Sequence, residues 1–190
     1  MTKPIQIKNL TIGAGIPKIC VPLTGTTMEK ICQEAENAKK AAADMVEWRA
    51  DFFESLLDNA ACDRVLEMLV KILEEIPLLF TIRTSREGGN VTISQDDYAA
   101  CNINAAKSKM ADLVDVEVME NPDEKKKLVA ELQKEGVRVI ASYHDFEKTD
   151  NQETLLKYFH EMEESGADIL KMAVMPQGFE DVATIMETTN

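Results

Sequence analysis

Residues 138–176 read RVIASYHDFEKTDNQETLLKYFHEMEESGADILKMAVMP, two short apolar runs (Arg138–Phe146 and Ala167–Pro176) on either side of an amphipathic segment. Runs of β-branched and apolar residues this short are how a strand covered on both faces reads. Gly166 stands just before the second run, where a helix leaving its last turn favours a left-handed residue. The stretch is one strand–helix–strand unit, and a unit of that kind joins parallel neighbours.

Four runs of the same kind precede it: KICVPLTG from Lys18, MVEWRAD from Met45, PLLFTIRT from Pro77 and ADLVDVEVM from Ala111. Their starts recur about every 30 residues, the length of a βα unit. The segments between them carry helix signals. Thr26 with Glu29, and Ser94 with Asp97, have capping-box spacing. Asn121 followed by Pro122 predicts an N-cap and a first-turn proline. DRVLEMLVKILEEI, from Asp63, repeats apolar residues at helical spacing, and Gly136 precedes a strand as Gly166 does. The chain is therefore predicted to hold six βα units with no linker, as a single domain over 1–190. Residues 1–16 form a hairpin-like extension closing one end, because IQIKNLTIG alternates apolar and polar residues. Regular βα repetition means a parallel sheet, either doubly wound or closed as a barrel. The dinucleotide-binding version is disfavoured, since no G-x-G-x-x-G follows the first strand.

Composition narrows the function. The 190 residues are 45% hydrophobic, enough for an ordinary core. The net charge of −13, with a pI near 4.6, argues against nucleic acid or an anionic membrane as partner. The N-terminus has no apolar signal-peptide core, and no run approaches a membrane span. Cys20, Cys32, Cys62 and Cys101 show no paired spacing and are expected as reduced thiols in a cytoplasmic protein. With only His144 and His160 and no C-x-x-C, a transition-metal site is not expected.

The chemistry is written where charge interrupts the strands. Lys171 lies inside the apolar run ADILKMAVMP. Burial there would disfavour the ammonium, and a neutral amine in a dry pocket attacks carbonyls to form a Schiff base. Glu47 and Arg49 are two apart in the second run, so they share a face. Arg83 is near the end of the third run, Asp115 and Glu117 are two apart in the fourth, and His144 is at the end of the fifth. In a parallel barrel, inward groups at the C-terminal strand ends form the active-site floor. Taken singly, each has a structural explanation: a Glu47–Arg49 ion pair, Arg83 satisfied by Glu87, a core histidine, a lysine reaching to the rim. Their recurrence at equivalent places in successive units points to an enzyme instead. His160 is expected on a helix surface, and the cysteines and methionines as core filler.

EWRADF (Glu47–Phe52), TIRTSREGG (Thr81–Gly89), SYHDF (Ser142–Phe146) and KMAVMP (Lys171–Pro176) occur in that order, after IGAGIPKICVPLTG. Together they make the chain resemble the type I 3-dehydroquinate dehydratases over essentially its whole length. The resemblance implies a (β/α)8 TIM-barrel fold, of which about six of the eight βα units are present. It implies no cofactor and no metal, a small-molecule substrate (3-dehydroquinate), and possible homodimers. It implies syn elimination of water to give 3-dehydroshikimate in the shikimate pathway. Lys171 would form the Schiff base with the C3 ketone, His144 would be the general acid and base, and Glu87 would partner the histidine. Glu47, Arg49 and Arg83 would hold substrate hydroxyls. The two arginines would also help keep Lys171 neutral and concentrate positive potential for a carboxylate substrate.

Two departures accompany the resemblance. The family's last two βα units, with an arginine, a serine and a glutamine that hold and cover the substrate, have no counterpart before Asn190. Pro22 stands where some members carry a serine. The expectation is a fragment of a longer enzyme or a chain completed by another. Another Schiff-base barrel enzyme of aldolase type and a non-catalytic partial barrel that binds a ligand or partner are the alternatives.

Overall fold

The computed structural model describes residues 4–189, so the start of the predicted extension (1–3) and residue 190 lie outside the described residues. An antiparallel hairpin, β1 (Ile5–Ile7) and β2 (Leu10–Ile12), opens the chain. Six parallel strands follow: β3 (Cys20–Leu23), β4 (Met45–Arg49), β5 (Leu78–Thr81), β6 (Leu113–Glu117), β7 (Arg138–Asp145) and β8 (Ile169–Val174). Each is followed by a helix: α1 (Met28–Lys40), α2 (Asn59–Leu73), α3 (Gln95–Lys107), α4 (Pro122–Lys134), α5 (Gln152–Glu164) and α6 (Phe179–Thr188).

The strands lie side by side in chain order, β3-β4-β5-β6-β7-β8. A doubly wound sheet would reverse its order at a switch point. This one does not, so it is the arc of a barrel. Alternation along the strands gives the arc two apolar layers. Val46, Trp48, Phe80, Val114, Val139 and Ala141 face outward and pack under the helices in the main core. Met45, Leu79, Leu113 and Ile140 face inward at the other parity and meet Ile7 and Leu10 of the hairpin. The hairpin thereby seals the N-terminal end of the arc with apolar side chains, and leaves the C-terminal end for polar groups.

The helix starts follow the predicted signals with instructive differences. The Ser94 hydroxyl accepts the Asp97 N–H at 3.1 Å. The cap of α1 is Thr27 rather than Thr26, accepting from Lys30 N–H. Asn121 takes a left-handed φ of 52° and makes no side-chain cap, so Pro122 alone marks that start. Asp58 and Asn151 are caps that carry no capping-box partner, and the Asp58 cap starts α2 before Asp63. Gly136 and Gly166 have φ of +89° and +79°, the left-handed exits expected of them.

Among the described residues β3 and β8 are each paired on one side only. Six strands cannot close a ring with the shear and diameter of eight. Between the two edges lies an open cavity of about 1500 Å³ whose lining includes Ile12, Ile16, Cys20, Phe159, Leu170 and Met172. All four cysteines are free thiols. No described helix is long and apolar enough to cross a membrane.

Candidate active site

Inward positions two apart along the strands carry the polar groups beyond the apolar plug. They are Glu47 and Arg49 in β4, Thr81 in β5 with Arg83 just past its end, Asp115 and Glu117 in β6, Ser142 and His144 in β7, and Lys171 in β8. In the ladder Glu117 stands opposite Ser142, and Ser142 opposite Lys171. Five of the six predicted site residues are thus brought to the inner face at the C-terminal ends of the strands, and the sixth, Glu87, comes from the turn that follows β5.

Arg83 is the hub. It is 3% exposed. Its Nη2 donates to Asp115 at 2.7 Å, and its Nη1 reaches Ser142 Oγ at 2.9 Å, Glu117 at 3.1 Å and Glu87 at 3.4 Å. Burial works against the guanidinium charge, but Asp115, Glu117 and Glu87 outweigh it and hold its pKa above the usual value. Burial likewise disfavours the Asp115 carboxylate, and Arg83 and Lys171 more than offset that, so its pKa lies below the usual range. Asp115 Oδ1 also accepts from the Ser142 hydroxyl at 2.7 Å, while its buried Oδ2 has no partner.

Glu117 ties the next turn to the sheet. Its carboxylate accepts the Thr84 N–H and the Thr84 hydroxyl, each at 2.7 Å. The short helical turn Ser85–Glu87 follows. Gly88 leaves it at φ +73°, under the Phe146 ring. A Cβ on Gly89 would lie 1.9 Å from the Arg83 carbonyl oxygen. The stretch REGGN (Arg86–Asn90) is therefore a packed turn that delivers Glu87.

Glu87 Oε2 lies 2.9 Å from His144 Nδ1. Burial, with Glu117 adding to it, pushes Glu87 up to about 8. Burial, with Arg83 adding to it, pushes His144 down to about 3. Both partners are therefore uncharged near neutral pH. Because Oε2 also accepts from Arg83, it acts as an acceptor toward Nδ1–H. That assignment of the tautomer leaves the Nε2 lone pair free to take a proton.

Lys171 differs from its sequence expectation. Its side chain is 38% exposed rather than sealed in a dry pocket. The reason is topological: β8 is covered by a strand on the β7 side alone. Its Nζ lies 4.0 Å from Glu47 Oε1, and Glu47 also accepts the Thr81 hydroxyl at 2.8 Å.

The structural pair for Arg49 is Asp51, not Glu47. Its Nε and Nη2 reach the two Asp51 oxygens at 2.8 Å each, and its guanidinium lies over the Phe52 ring at 5.1 Å. Asp51 also accepts the backbone N–H groups of Arg83 and Asn90. With Arg49 matched by Asp51, and Arg83 by Asp115 and Glu117, the positive potential expected of the two arginines is largely cancelled. Asp51, Thr81 and Ser142 escaped the sequence analysis. Asp51 and Ser142 lie inside the motifs EWRADF and SYHDF, where the period of two marks Ser142 as inward beside His144. Asp51 sits past the strand end, where that period no longer applies. Among the described residues no group of His, Cys, Asp and Glu is arranged to hold a metal ion.

The sequence model of the Type I 3-dehydroquinase family matches residues 19–190. A 3-dehydroquinate dehydratase of Clostridioides difficile (strain 630) is 42% identical over all of this chain, which covers 74% of that protein. The crystal structure of the type I enzyme from Clostridium difficile with covalently modified comenic acid superposes with a TM-score of 0.96 at 42% identity, over 100% of this chain and 75% of that one. The 3-dehydroquinate dehydratase of Geobacillus kaustophilus HTA426 gives a TM-score of 0.95 at 35% identity, over 98% of this chain and 73% of that one. With its TIM-barrel arc and its motifs on one polar face, this chain belongs to the type I 3-dehydroquinase family.

Proposed function

We propose that the chain dehydrates 3-dehydroquinate to 3-dehydroshikimate through a Schiff base on Lys171, as a hydro-lyase of the shikimate pathway. The observation that carries this assignment of roles is the 2.9 Å hydrogen bond between Glu87 and His144, held one strand away from Lys171. The Lys171 amine attacks the C3 ketone, and the carbinolamine loses water to give a cationic iminium. The iminium draws electrons from C2, and His144 Nε2 takes the C2 proton. The resulting enamine expels the C1 hydroxyl, to which the imidazolium returns its proton as the second water forms. Hydrolysis of the product iminium consumes one water and frees the amine, so one water is lost overall. One imidazole serves both proton transfers because base and acid act on the same face.

Glu87 orients the imidazole through Nδ1, as a partner carboxyl does in acid–base pairs. Glu47, beside Lys171, is placed to accept from a substrate hydroxyl or from the ammonium. Arg49, partly exposed at the rim, is placed to donate to a hydroxyl. Arg83, fully engaged below them, acts by holding Glu87, Glu117 and Asp115 in place. The reading takes a small-molecule substrate, a cytoplasmic setting and a homodimer. The acidic surface supports the absence of a nucleic-acid partner.

Incubation with 3-dehydroquinate and borohydride, followed by peptide mass analysis, tests the proposal. The expected result is a reduced adduct on Lys171. An aldolase would be trapped by a sugar phosphate instead, and a binding protein by neither.

A further inference from the structure

Lys125 is a cation in an unfavourable place. It closes the first turn of α4, where the helix dipole disfavours positive charge, and it is only 4% exposed. Among the described residues no carboxylate lies within ion-pair distance of its amine. Its Nζ instead sits 3.9 Å from the centroid of the Tyr98 ring. Burial pushes the amine down to about 8, against the pull of Glu117 and Glu87. A methionine or leucine would fill the same space without desolvating a charge. The partner of this costly cation is informative. Tyr98 is 1% exposed, and its hydroxyl accepts the N–H of Glu117 at 3.0 Å. Glu117 in turn holds Thr84 and Arg83, which frame the turn that carries Glu87.

We propose that Lys125 is a positioning residue of the acid–base pair: its ammonium, seated on the Tyr98 ring behind Glu117, adds positive charge behind the carboxylates that frame the turn carrying Glu87. The proposal rests on the assignment of Glu87 and His144 made above. Glu87 faces Arg83 from the end of β5, Asp115 and Glu117 from β6 and His144 from β7. Lys125 faces Tyr98 from α3, Glu117 from β6, Glu87 and Arg86 from the intervening turn, and Glu124 from its own helix. Without the ammonium, Arg83 must balance Asp115 and Glu117 with less help, and the ionised form of Glu87 becomes harder to reach.

The test is a carboxyl ¹³C titration of Glu87 in the unsubstituted chain, Lys125→Met and Lys125→Arg. The expected result is a midpoint raised by roughly half a unit in Lys125→Met, about threefold in the protonation equilibrium, and restored in Lys125→Arg. An unchanged midpoint in a folded Lys125→Met chain overturns the proposal. Should Lys125→Met fail to fold, the Lys125 Cε signal of the unsubstituted chain decides. A midpoint well below the ordinary 10.5, with the Lys125 and Glu87 curves each broadened beyond a single-site titration by the other's, supports it. Titration at the ordinary value with no response from Glu87 overturns it. Borohydride trapping on Lys171 does not depend on Lys125, so loss of that adduct would count against the catalytic assignment alone.

Discussion

Glu87 and His144 each lose their charge to burial, which leaves the imidazole lone pair unprotonated near neutral pH. Removing the imidazole should separate capture from elimination. His144→Ala is expected to lower kcat by roughly 10²–10⁴-fold, the range for a lost acid–base group, while borohydride still traps substrate on Lys171. Lys171→Ala should abolish both the adduct and turnover, read by the same mass analysis and a steady-state assay. Glu87 also leaves a signature in stability. Its ordinary pKa is 4.5 and its folded value about 8, so between those pH values the folded chain holds a proton that the unfolded chain has released. Stability should therefore fall as pH rises through that window. His144 acts at the other end: unfolded it takes a proton near 6.5, folded only near 3, so stability also falls as pH drops between those values. Glu87→Gln should remove the alkaline decline and leave the acid one, as urea unfolding at a series of pH values would show.

The β5–α3 connection shows how an element serves the chemistry. Thr84 is pinned by Glu117, and Gly89 is pressed against the Arg83 carbonyl, so the turn has one place to put Glu87. Gly89→Ala should force the backbone apart, costing about 1–3 kcal/mol from overpacking and lowering kcat more than it raises KM. Thermal unfolding and steady-state kinetics would check it. Ser142 works one strand over, donating to Asp115 and accepting from Arg83. Ser142→Ala leaves both with fewer partners in a buried place and should cost about 1–3 kcal/mol by chemical denaturation. The helix starts were legible where a hydroxyl residue sits three positions before an acidic residue, as at Ser94. They were misplaced by one at Thr27, because Thr26 and Thr27 offer the same chemistry and only the backbone path chooses between them.

At the scale of the molecule, the arc has a sealed end and an open side. Ile7 and Leu10 seal the N-terminal end, whereas β3 and β8 each present an unpaired edge among the described residues. Expressed as an isolated polypeptide, these 190 residues should self-associate through those edges, visible by analytical ultracentrifugation. They should also turn over substrate far more slowly than the Clostridioides difficile relative, because water reaches Lys171 from the open side. The six parallel strands, the helices between them and the inward positions of Glu47, Arg49, His144 and Lys171 could be read from the chain alone, whereas Glu87 was singled out as the partner of His144 only by the family resemblance. Short apolar runs, their even spacing and the parity of inward positions are local properties, set by backbone geometry within a few residues. Only the tertiary structure decided that the sheet runs in one direction as a barrel arc, that Asp51 rather than Glu47 takes Arg49, and that Arg83 is wholly enclosed by carboxylates. It alone showed that Lys171 is half open and that Lys125 and Tyr98 stand behind the site. Those are matters of which distant segments meet and how much water they exclude, and the energy of a charge depends on that company.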